Sequence, residues 1–568
     1  MFKKITYTLF FVLINISAQS IHERVYKTNV YNFLERLSNK NKINLFTDIR
    51  PLTRLELAKK LLLVAEPCRS TINQPVPLNP KDIQPGSINL SSIEKERLEF
   101  YKREYAFELQ YLQKDTITIS TFFGSTPIDK FNFYKYYSKN FDFTFDPIVG
   151  IGYNFSDKIY HQFVGFELYG RIGNNWGYYL NWRDNIEKGD SLDRQKRFTP
   201  KAGINVLRSK ERLIDYSETR GGITYSWEWG NLTAAKDFIH IGSSSQSSII
   251  LSGKAPSFPF LRLHINPVEW FRYDFIHAWL DSDLIDSTSI SSTGVTSTER
   301  DRSKSFSRRQ KYYVAHSFSF QPVEDWWLTF GESVIYGDQL EFIYFLPVFY
   351  RLADHYNSIG GADSGDNAQL FFNSSYIWTQ IQSKFYMSFY LDEFSPSDWF
   401  SGGDNAQVFA FTLGGVFTNP IWNDNYITLE YNAIRPYVGM NADPLHTYES
   451  SGYPLGHWIG SNSVQIYAEM EQYLPLMINV KAYINYVIKG EKENINNYYN
   501  RVTSTYPLLS GDNSYFSEIG GQISYNPIHN LYLELNFRYI NKANGRFTSE
   551  YDIDEGFQFG TMLRYGFQ

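Results

Sequence analysis

The stretch LYLELNFRYI at positions 531–540 places Leu, Phe or Tyr at every odd position and mostly polar residues at the even positions. A period of two is that of a β-strand with one apolar and one polar face. The same alternation recurs at 464–471 and 478–486, and it persists from Phe141 to the end of the chain. The sequence therefore predicts an all-β region over 141–568.

Alternation alone fits two architectures: a soluble sandwich with its apolar faces inward, and a membrane barrel with its apolar face outward. The spacing of the turns distinguishes them. Short breaks occur at 230–231, 266–267, 321–325, 419–425, 474–477 and 526–530. Long polar stretches alternate with these breaks, at 183–220, 281–310, 336–368, 438–462 and 490–515.

Outer-membrane barrels alternate tight periplasmic turns with long extracellular loops in this way, and they have an even number of strands. We therefore predict an all-β transmembrane barrel of about 18 antiparallel strands in the bacterial outer membrane. The even number leaves both ends of the barrel region in the periplasm.

The composition agrees with a barrel. Of the 568 residues, 18% are aromatic and 20% are charged, which suits strands that meet lipid on one face and carry aromatic girdles at their ends. Mean hydropathy is nevertheless negative, at -0.37, because the lumen face and the loops are polar. After the first residues there is no apolar run of about 18 residues, which a spanning helix would need. The net charge of -6 is mild, and it points to no nucleic-acid partner.

The first 18 residues have the features of a secretory signal peptide. Lys3 and Lys4 precede an apolar stretch at 9–16, and Ala18 is a small residue suited to cleavage. Export is therefore expected. The lone Cys68 has no partner for an internal disulfide or for a thiolate metal site.

The region 19–110 has helical periodicity and three capping-box signatures, in which a hydroxyl and a carboxylate three residues later satisfy exposed backbone amides. These are Ser20 with Glu23, Thr53 with Glu56, and Ser91 with Glu94. We predict a small three-helix periplasmic region whose apolar stripes pack into the mouth of the barrel. A linker or plug segment at 111–140 would follow, and its strand-like piece is placed outside the wall because an extra strand would break the even number.

Several local stretches resemble the capsule assembly protein Wzi family, as does the order of a three-helix preface before an 18-stranded barrel. The matching residues are Pro51, Leu52, Arg54, Trp229, Gly230, Lys236, Asp237, Ile249, Leu251, Ala255, Pro256, Phe258, Pro259, Tyr390, Leu391, Asp392 and Glu393. The resemblance covers nearly the whole mature chain. It implies an outer-membrane protein that helps hold capsular polysaccharide at the cell surface, with a lectin-like role and no chemistry.

The sequence contains no nucleophile elbow, zinc-binding helix, P-loop or dinucleotide fingerprint in a fitting context. We therefore expect no enzyme activity, no cofactor and no metal site. His240, His264 and His277 lie in strand-like segments, where a single histidine is more often packed or hydrogen-bonded than metal-bound.

Charged residues recur on the polar faces of the strands, and both signs occur. They are Glu167, Arg171, Arg262, Arg272, Asp274, Glu430, Glu469, Glu471, Lys481, Glu534, Arg538 and Arg564. One interpretation is a set of ion pairs across a plugged interior, and the other is a selective pore lining. Mixed signs favour the ion pairs.

The long outer loops provide the candidate ligand contacts, because sugars are bound by aromatic faces together with side chains that bond to hydroxyl groups. The candidates are Asp398, Trp399, Phe400, Tyr453, His457, Trp458, Tyr498, Tyr499 and Arg501. The alternative is that these rings pack the loops or belong to the outer girdle. The basic end of the loop at 287–309 is suited to an anionic polysaccharide or to lipid headgroups.

The leading functional hypothesis is a noncatalytic glycan-binding protein for capsular or extracellular polysaccharide, with outer-membrane lipids and polysaccharide export machinery as further partners. The alternative is a substrate-selective porin. The two differ in whether the lumen is open.

Overall fold

The computed structural model describes residues 21–25, 28–40, 43–65, 90–113, 119–124, 130–138, 140–293, 304–350, 366–393, 408–499, 507–543 and 555–566. The predicted signal peptide at 1–18 and Cys68 lie outside these residues. Among the described residues, no helix is long and apolar enough to cross a membrane.

The wall is a closed antiparallel barrel of 18 strands, as predicted. We number the strands β1 Phe141–Asn154, β2 Ile159–Ile172, β3 Trp176–Lys188, β4 Leu213–Trp227, β5 Gly230–Asp237, β6 Phe258–Val268, β7 Phe271–Ile285, β8 Arg308–Val323, β9 Trp326–Gly337, β10 Asn367–Trp378, β11 Ser383–Glu393, β12 Val408–Thr418, β13 Asn425–Ile434, β14 Ser463–Leu474, β15 Ile478–Lys489, β16 Ser514–Tyr525, β17 Leu531–Ala543 and β18 Gly556–Tyr565. The ring closes where β18 pairs with β1, for example at Leu563 and Ile151. Short turns join the strands at one end, called the short-turn end. The connections at the other end, the long-loop end, are longer except for the tight turn at 155–158 between β1 and β2.

The apolar face of each strand points away from the lumen. In β17, Phe537 is 40% exposed and Tyr539 is 54% exposed, whereas Glu534 is only 8% exposed. A soluble sandwich would bury the apolar face instead. The direction of the side chains therefore resolves the ambiguity that alternation leaves open.

Six exposed tryptophans form a belt around the short-turn end. They are Trp176, Trp229, Trp270, Trp326, Trp378 and Trp422, each at or beside the end of a strand. Such belts mark the boundary between the hydrocarbon region and water in transmembrane barrels. The short-turn end therefore lies at one membrane surface.

Within the described residues, four helices precede the barrel: α1 Thr28–Asn39, α2 Arg54–Ala65, α3 Ser92–Glu104 and α4 Ala106–Leu112. They pack on one another through a shared apolar cluster that includes Phe33, Leu57 and Tyr101. We call the described part of 21–113 the N-terminal plug.

Two of the three predicted capping boxes stand at helix starts. Ser91 and Glu94 form the complete reciprocal box of α3, and the Thr53 hydroxyl accepts the N–H of Glu56 at 3.2 Å. The predicted helix start at Ser20 was wrong, because residues 21–25 are not helical and α1 begins at Thr28. The carboxylate of Glu23 pairs with Arg54 instead of capping a helix.

The N-terminal plug occupies the short-turn end of the lumen. Ser91 Oγ donates to Asp424 at 2.8 Å, and Arg97 Nη2 donates to the carbonyl of Ile478 at 3.0 Å. His529 stacks on Phe100 with 3.8 Å between ring centroids. These contacts join the helices to the turns around the rim.

A segment from the opposite end also enters the lumen. Residues 238–257, the in-folded loop, connect β5 to β6 and bury their apolar residues at 249–251. His240–Ile241 pairs with Ile49–Arg50 of the N-terminal plug as a two-stranded sheet. The in-folded loop also contacts the connection between β13 and β14, where Tyr448 Oη donates to the carbonyl of Ile250 at 2.9 Å. The lumen is thus filled from both ends.

We expect this double closure to suppress conductance. The intact protein should conduct far less than an open barrel of the same strand number, because the helices and the in-folded loop occupy the lumen. Deleting 20–110 should raise single-channel conductance severalfold in a planar bilayer, with heat-modifiable migration on gels as the control for an intact barrel. Equal conductance before and after deletion would mean that the helices are no barrier.

The segment predicted as a linker or plug at 111–140 contains a hairpin that joins the barrel sheet. Ile119–Gly124 pairs with Asn132–Tyr137, which in turn pairs with β1 beyond the end of β18. Phe133 packs against Phe145 at 5.9 Å between ring centroids. The hairpin adds to the sheet because β1 has backbone groups beyond the end of β18 that can form hydrogen bonds, and because the aromatic rings pack together. It is not one of the 18 strands of the closed wall.

The connection after β9 folds back over the outer surface of the wall. Residues 340–350, which we call the strap, cover β7, β8 and β9 through Tyr344 and Tyr350, both 1% exposed or less. Beneath the strap lie outward-facing polar side chains, including His316 and Glu332, whose Nε2 and Oε1 atoms are 3.0 Å apart. The strap separates this polar patch from lipid.

Candidate functional site

A cleft of about 530 Å³ remains inside the lumen. It lies along the inner faces of β2–β5 and β15–β18, between loop residues 200–205 and the helix residues Phe100 and Tyr101. Tyr216 and Tyr532 contribute rings to its lining. We call it the lumen cleft.

The lining of the lumen cleft is rich in charge, with more cations than anions among the described residues. The cations are Arg183, Lys196, Lys201, Arg220, Lys236, Lys481 and Arg564, and the anions are Glu104, Glu187, Glu218 and Glu534.

Charges near the short-turn end are neutralised locally. Arg564 pairs with Glu534 at 2.7 Å, and Lys481 lies 3.5 Å from Glu469. Glu104 pairs with Lys130 at 3.0 Å. This part of the cleft therefore carries little net charge.

Nearer the long-loop end, the guanidinium groups are also paired with carboxylates. Glu218 is shared by Arg183 Nη2 at 3.2 Å and Arg220 Nε at 3.6 Å, and Arg220 Nη1 lies 3.9 Å from Asp237. Lys196 pairs with Glu187 at 2.8 Å. Lys201 adds a further ammonium group, whereas Lys236 shares the outward face of β5 with Leu232, which is 48% exposed.

The connection between β3 and β4 is held over the cleft by two side chains from other loops. Buried Lys254 donates to the carbonyls of Thr199 and Lys201 at 2.9 and 3.0 Å, and burial lowers the pKa of Lys254 to about 7. Tyr453 Oη donates to the carbonyl of Ile204 at 3.1 Å. Neither anchor was recognisable from sequence, because both reach across more than 50 residues.

Three of the predicted glycan-contact residues have packing roles. Tyr453, His457 and Trp458 are 5%, 2% and 3% exposed, which differs from the exposed position expected for them. Trp458 packs edge-on against Phe198 with 4.8 Å between ring centroids. Burial lowers the pKa of His457 to about 3, so that its ring is neutral. Their loop folds inward, and aromatic side chains drive that burial.

The other candidates are distributed differently. Tyr498 and Tyr499 end the short helix α5, Ile495–Tyr499, and Tyr498 packs on Tyr437 at 5.3 Å between ring centroids. Asp398, Trp399, Phe400 and Arg501 lie outside the described residues.

The lumen charges predicted from strand alternation form ion pairs, as the interpretation of a plugged interior requires. Arg262 and His264 both contact Asp274, at 2.7 and 3.0 Å. Several partners come from the N-terminal plug: Arg36 pairs with Glu471, Glu56 with Arg272, and Arg24 with Glu167. The sequence indicated the strand side of these pairs but not the plug side.

The three strand histidines make ordinary hydrogen bonds. His240 Nε2 lies 3.0 Å from the carbonyl of Gly242, and His277 Nε2 lies 2.7 Å from Tyr336 Oη. Within the part of the chain that the structure describes, no group of three or more His, Cys, Asp or Glu residues is placed to hold a metal ion.

A closed 18-strand wall, apolar outside and charged inside, defines a β-barrel of the outer-membrane class whose lumen holds its own N-terminal helices. No protein-family model and no curated protein matches the chain. Among solved structures, the chain is similar to Wzi of Escherichia coli, an outer-membrane protein involved in group 1 capsule assembly and described as a carbohydrate-binding β-barrel. The TM-score is 0.55 at 13% identity, over 97% of this chain and 100% of Wzi.

Outer-membrane barrels of other bacteria also match. OccAB2 of Acinetobacter baumannii aligns with 75% of this chain and 97% of its own, at a TM-score of 0.42 and 10% identity. OprD of Pseudomonas aeruginosa aligns with 74% of this chain and 92% of its own, at a TM-score of 0.39 and 10% identity.

Proposed function

We propose that the protein is a noncatalytic, lectin-like outer-membrane protein that helps attach or assemble capsular or extracellular polysaccharide at the cell surface. The observation that carries the proposal is the filled lumen: the N-terminal plug and the in-folded loop occupy it from both ends and leave a lined cleft. A lumen that is filled in this way suits binding better than passage. The shared fold with Wzi, which binds carbohydrate, supports the same function.

The size and lining of the lumen cleft suit a short stretch of sugar. Its volume of about 530 Å³ is within the range of small-ligand sites, roughly 300–1,000 Å³. Tyr216 and Tyr532 offer aromatic surface, while Asn205 and Gln522 offer amides for hydroxyl groups. Outer-loop residues, including Asp398, Trp399, Phe400, Tyr498, Tyr499 and Arg501, remain proposed contacts for the polymer beyond the cleft.

The proposal places the long-loop end outside the cell and the helices in the periplasm, beside polysaccharide export machinery. Binding of one sugar unit would be weak. Retention of a long polymer therefore requires many repeats or many protein copies acting together.

A substrate-selective porin is the second candidate. One observation favours it: the lumen cleft runs from loop residues at 200–205 to His529 at the short-turn end, which is most of the height of the wall. A small movement of the helices would turn such a cleft into a passage.

The deciding experiment compares cells that lack the protein with complemented cells. We expect more polysaccharide in the medium and less on the cell surface without the protein, with normal amounts synthesised in total. The same strains are assayed for uptake of small solutes. Unchanged surface polysaccharide together with reduced solute uptake would overturn the proposal in favour of a porin.

A further inference from the structure

The pairing between β4 and β5 ends well below the top of the wall. β4 has 15 residues and β5 has only 8, and their pairing stops at Gly221 with Lys236. A short strand in the connection between β3 and β4 pairs with the top of β4, down to Val206 with Tyr216. Within the described residues, positions 217–220 of β4 therefore have no strand partner on this side. We call this interval the ladder break, and its flanking pairs lie roughly 16 Å apart at about 3.3 Å per residue.

The lumen cleft extends into the ladder break. The strand residues that line the cleft occupy inward-facing positions, except for Ser217 and Lys236. Ser217 shares the outward face of β4 with Ile223, which is 53% exposed, and Lys236 lies on the outward face of β5. Ser257, just before β6, also lines the cleft. A cavity that is lined by both faces of the wall at one place passes through the wall at that place.

The side chain of Lys236 lies across the ladder break. Its Nζ donates to the carbonyl of Thr219 on β4 at 2.8 Å and to Ser257 Oγ at 2.7 Å. Neither of these contacts is an ion pair, and a lysine ammonium group is carried on a flexible four-carbon stem. The side chain can therefore swing aside by exchanging two neutral acceptors for the hydroxyl groups of a ligand.

The ladder break lies in the half of the membrane nearer the long-loop end. Tyr225 of β4 packs on Trp176 of the tryptophan belt, with 4.9 Å between ring centroids. Thr219 and Ser217 lie six and eight residues above Tyr225, which corresponds to roughly 15–20 Å for a tilted strand. The apolar band of such barrels is about 25 Å tall. The break therefore opens toward the leaflet on the long-loop side.

The outward surface around the break matches a molecule with a polar head and apolar tails. Ile223 and Leu232, which lie nearer the tryptophan belt, are 53% and 48% exposed. Farther from the belt the outward side chains are polar, with Ser217 donating to the Asp184 carboxylate and Thr219 exposed. Lipids of the leaflet on the long-loop side hold their tails toward the first group and their headgroups toward the second.

We propose that the ladder break is a lateral entrance through which the sugar part of a membrane-anchored glycolipid reaches the lumen cleft, while the acyl chains stay in the leaflet. The N-terminal plug and the in-folded loop occupy the two ends of the lumen, and an approach from the side avoids both. Inside the cleft, Asn205 and Gln522 suit the hydroxyl groups of the sugar. The inference rests on the proposed function and specifies its ligand as a glycan that is linked to lipid.

The test uses the full-length protein in vesicles of phosphatidylethanolamine and rough lipopolysaccharide, which is a glycolipid. Cys68, the single cysteine of the chain, is replaced by Ser, and a benzophenone label is attached at Lys201→Cys, inside the cleft. On illumination we expect the label to crosslink to lipopolysaccharide. The delipidated oligosaccharide at the same concentration should crosslink at least about tenfold less, because the membrane anchor raises the local concentration of the sugar at the break.

Two bulky outward substitutions test the route. In the double variant Ser217→Trp, Thr219→Trp, which fills the outer mouth of the break, crosslinking to lipopolysaccharide should fall to the level seen without illumination. The matched control is Ser517→Trp, Ile519→Trp, at two outward positions of β16 with the same spacing and with strand partners on both sides. It should crosslink like the parent, with heat-modifiable migration showing an intact barrel in both variants.

Equal crosslinking in the two Trp variants would overturn the inference, because the sugar would then enter by another route. The absence of crosslinks to lipopolysaccharide in the parent would do the same, as would crosslinks to phosphatidylethanolamine alone. If the double variant of β4 lost heat-modifiable migration, Thr219→Trp alone, at an exposed position, would be compared with Ile519→Trp.

Failure of the proposed function has a different signature. Equal crosslinking of the free oligosaccharide in all variants removes the lateral entrance and leaves a lectin that takes its sugar from water. Unchanged surface polysaccharide in cells that lack the protein removes the proposed role in polysaccharide attachment, whichever route the sugar takes.

Discussion

Replacing Arg54 by Met is expected to release the N-terminal plug from its packed state. The guanidinium of Arg54 is buried and contacts three carboxylates, with Nη1 at 3.0 Å from Glu23 and 3.4 Å from Glu104, and Nε at 2.6 Å from Glu108. Met preserves much of the side-chain volume but none of the charge. The variant would remove one cation from this group of buried carboxylates, while Lys130 would still pair with Glu104 at 3.0 Å.

Breaking a buried ionic network from one side costs about 3–5 kcal/mol, because the remaining charges are not solvated. That is a large fraction of the stability of a small helical region. We therefore expect the helices to become sensitive to limited proteolysis while the barrel stays heat-modifiable. Conductance should rise toward that of the variant lacking 20–110.

Arg103→Met is the matched control, because Arg103 is an exposed arginine of the same N-terminal plug, on helix α3. It should resist protease and conduct like the parent. If Arg54→Met behaved in the same way, the helices would be held by their apolar cluster, and the ionic network would be dispensable.

The barrel could be predicted from sequence because its determinants are local. Alternation in β17 fixes which side of the strand faces lipid, and short breaks fix where strands turn. The sequence signal for the start of α3 was equally local, since Ser91 and Glu94 lie three residues apart. The failure at Ser20 shows the limit: the same spacing is present, but Glu23 is recruited by Arg54, which no local rule foresees.

The contents of the lumen depend on contacts between distant residues. Arg36 and Glu471 are 435 positions apart, and alternation identifies Glu471 as inward-facing without indicating its partner. The inward fold of the loop at 238–257 was also not predicted, because sequence rules expect a loop between two strands to be polar and to lie at the surface. The apolar residues at 249–251 are instead buried in the lumen.

The candidate site was predicted least well. Aromatic residues in a long loop indicate either ligand contact or packing, and Tyr453 and Trp458 serve packing. The cations of the lumen cleft were not recognised as a group. Lys201 lies in the connection between β3 and β4, and its position in the cleft depends on how that connection enters the lumen.

Removal of the strap is the second change with a large expected effect, because the strap covers charged side chains at the depth of the membrane. Glu332 is on the same face of β9 as Phe330, which is 47% exposed, so its side chain points away from the lumen. It lies six residues above Trp326 of the tryptophan belt, which corresponds to about 15 Å for a tilted strand. That depth is near the middle of the hydrocarbon region.

Two residues of the strap contact the polar patch directly. The backbone N–H of Tyr350 donates to the Glu332 carboxylate, and its ring stacks on His316 with 4.4 Å between centroids. Phe345 stacks on His277 at 4.5 Å. On its outer side the strap presents Phe342 and Phe349, at 74% and 65% exposed, and these rings suit lipid. The strap therefore covers a polar surface of the wall and presents an apolar surface to the lipid.

Replacing 340–350 by a short Gly-Ser linker should uncover Glu332 and His316 to acyl chains. A charge on the lipid face near the midplane costs about 2 kcal/mol or more, so we expect a clear fall in the temperature at which the barrel loses its folded migration on gels. The same replacement in a Glu332→Leu, His316→Leu background should cost less, because only the hydrogen-bonded pair of His277 and Tyr336 is uncovered there. If shortening the strap destabilised both backgrounds equally, the contribution of the strap would come from its apolar packing on Val314, Val334 and Tyr336, and shielding of the polar patch would not be its role.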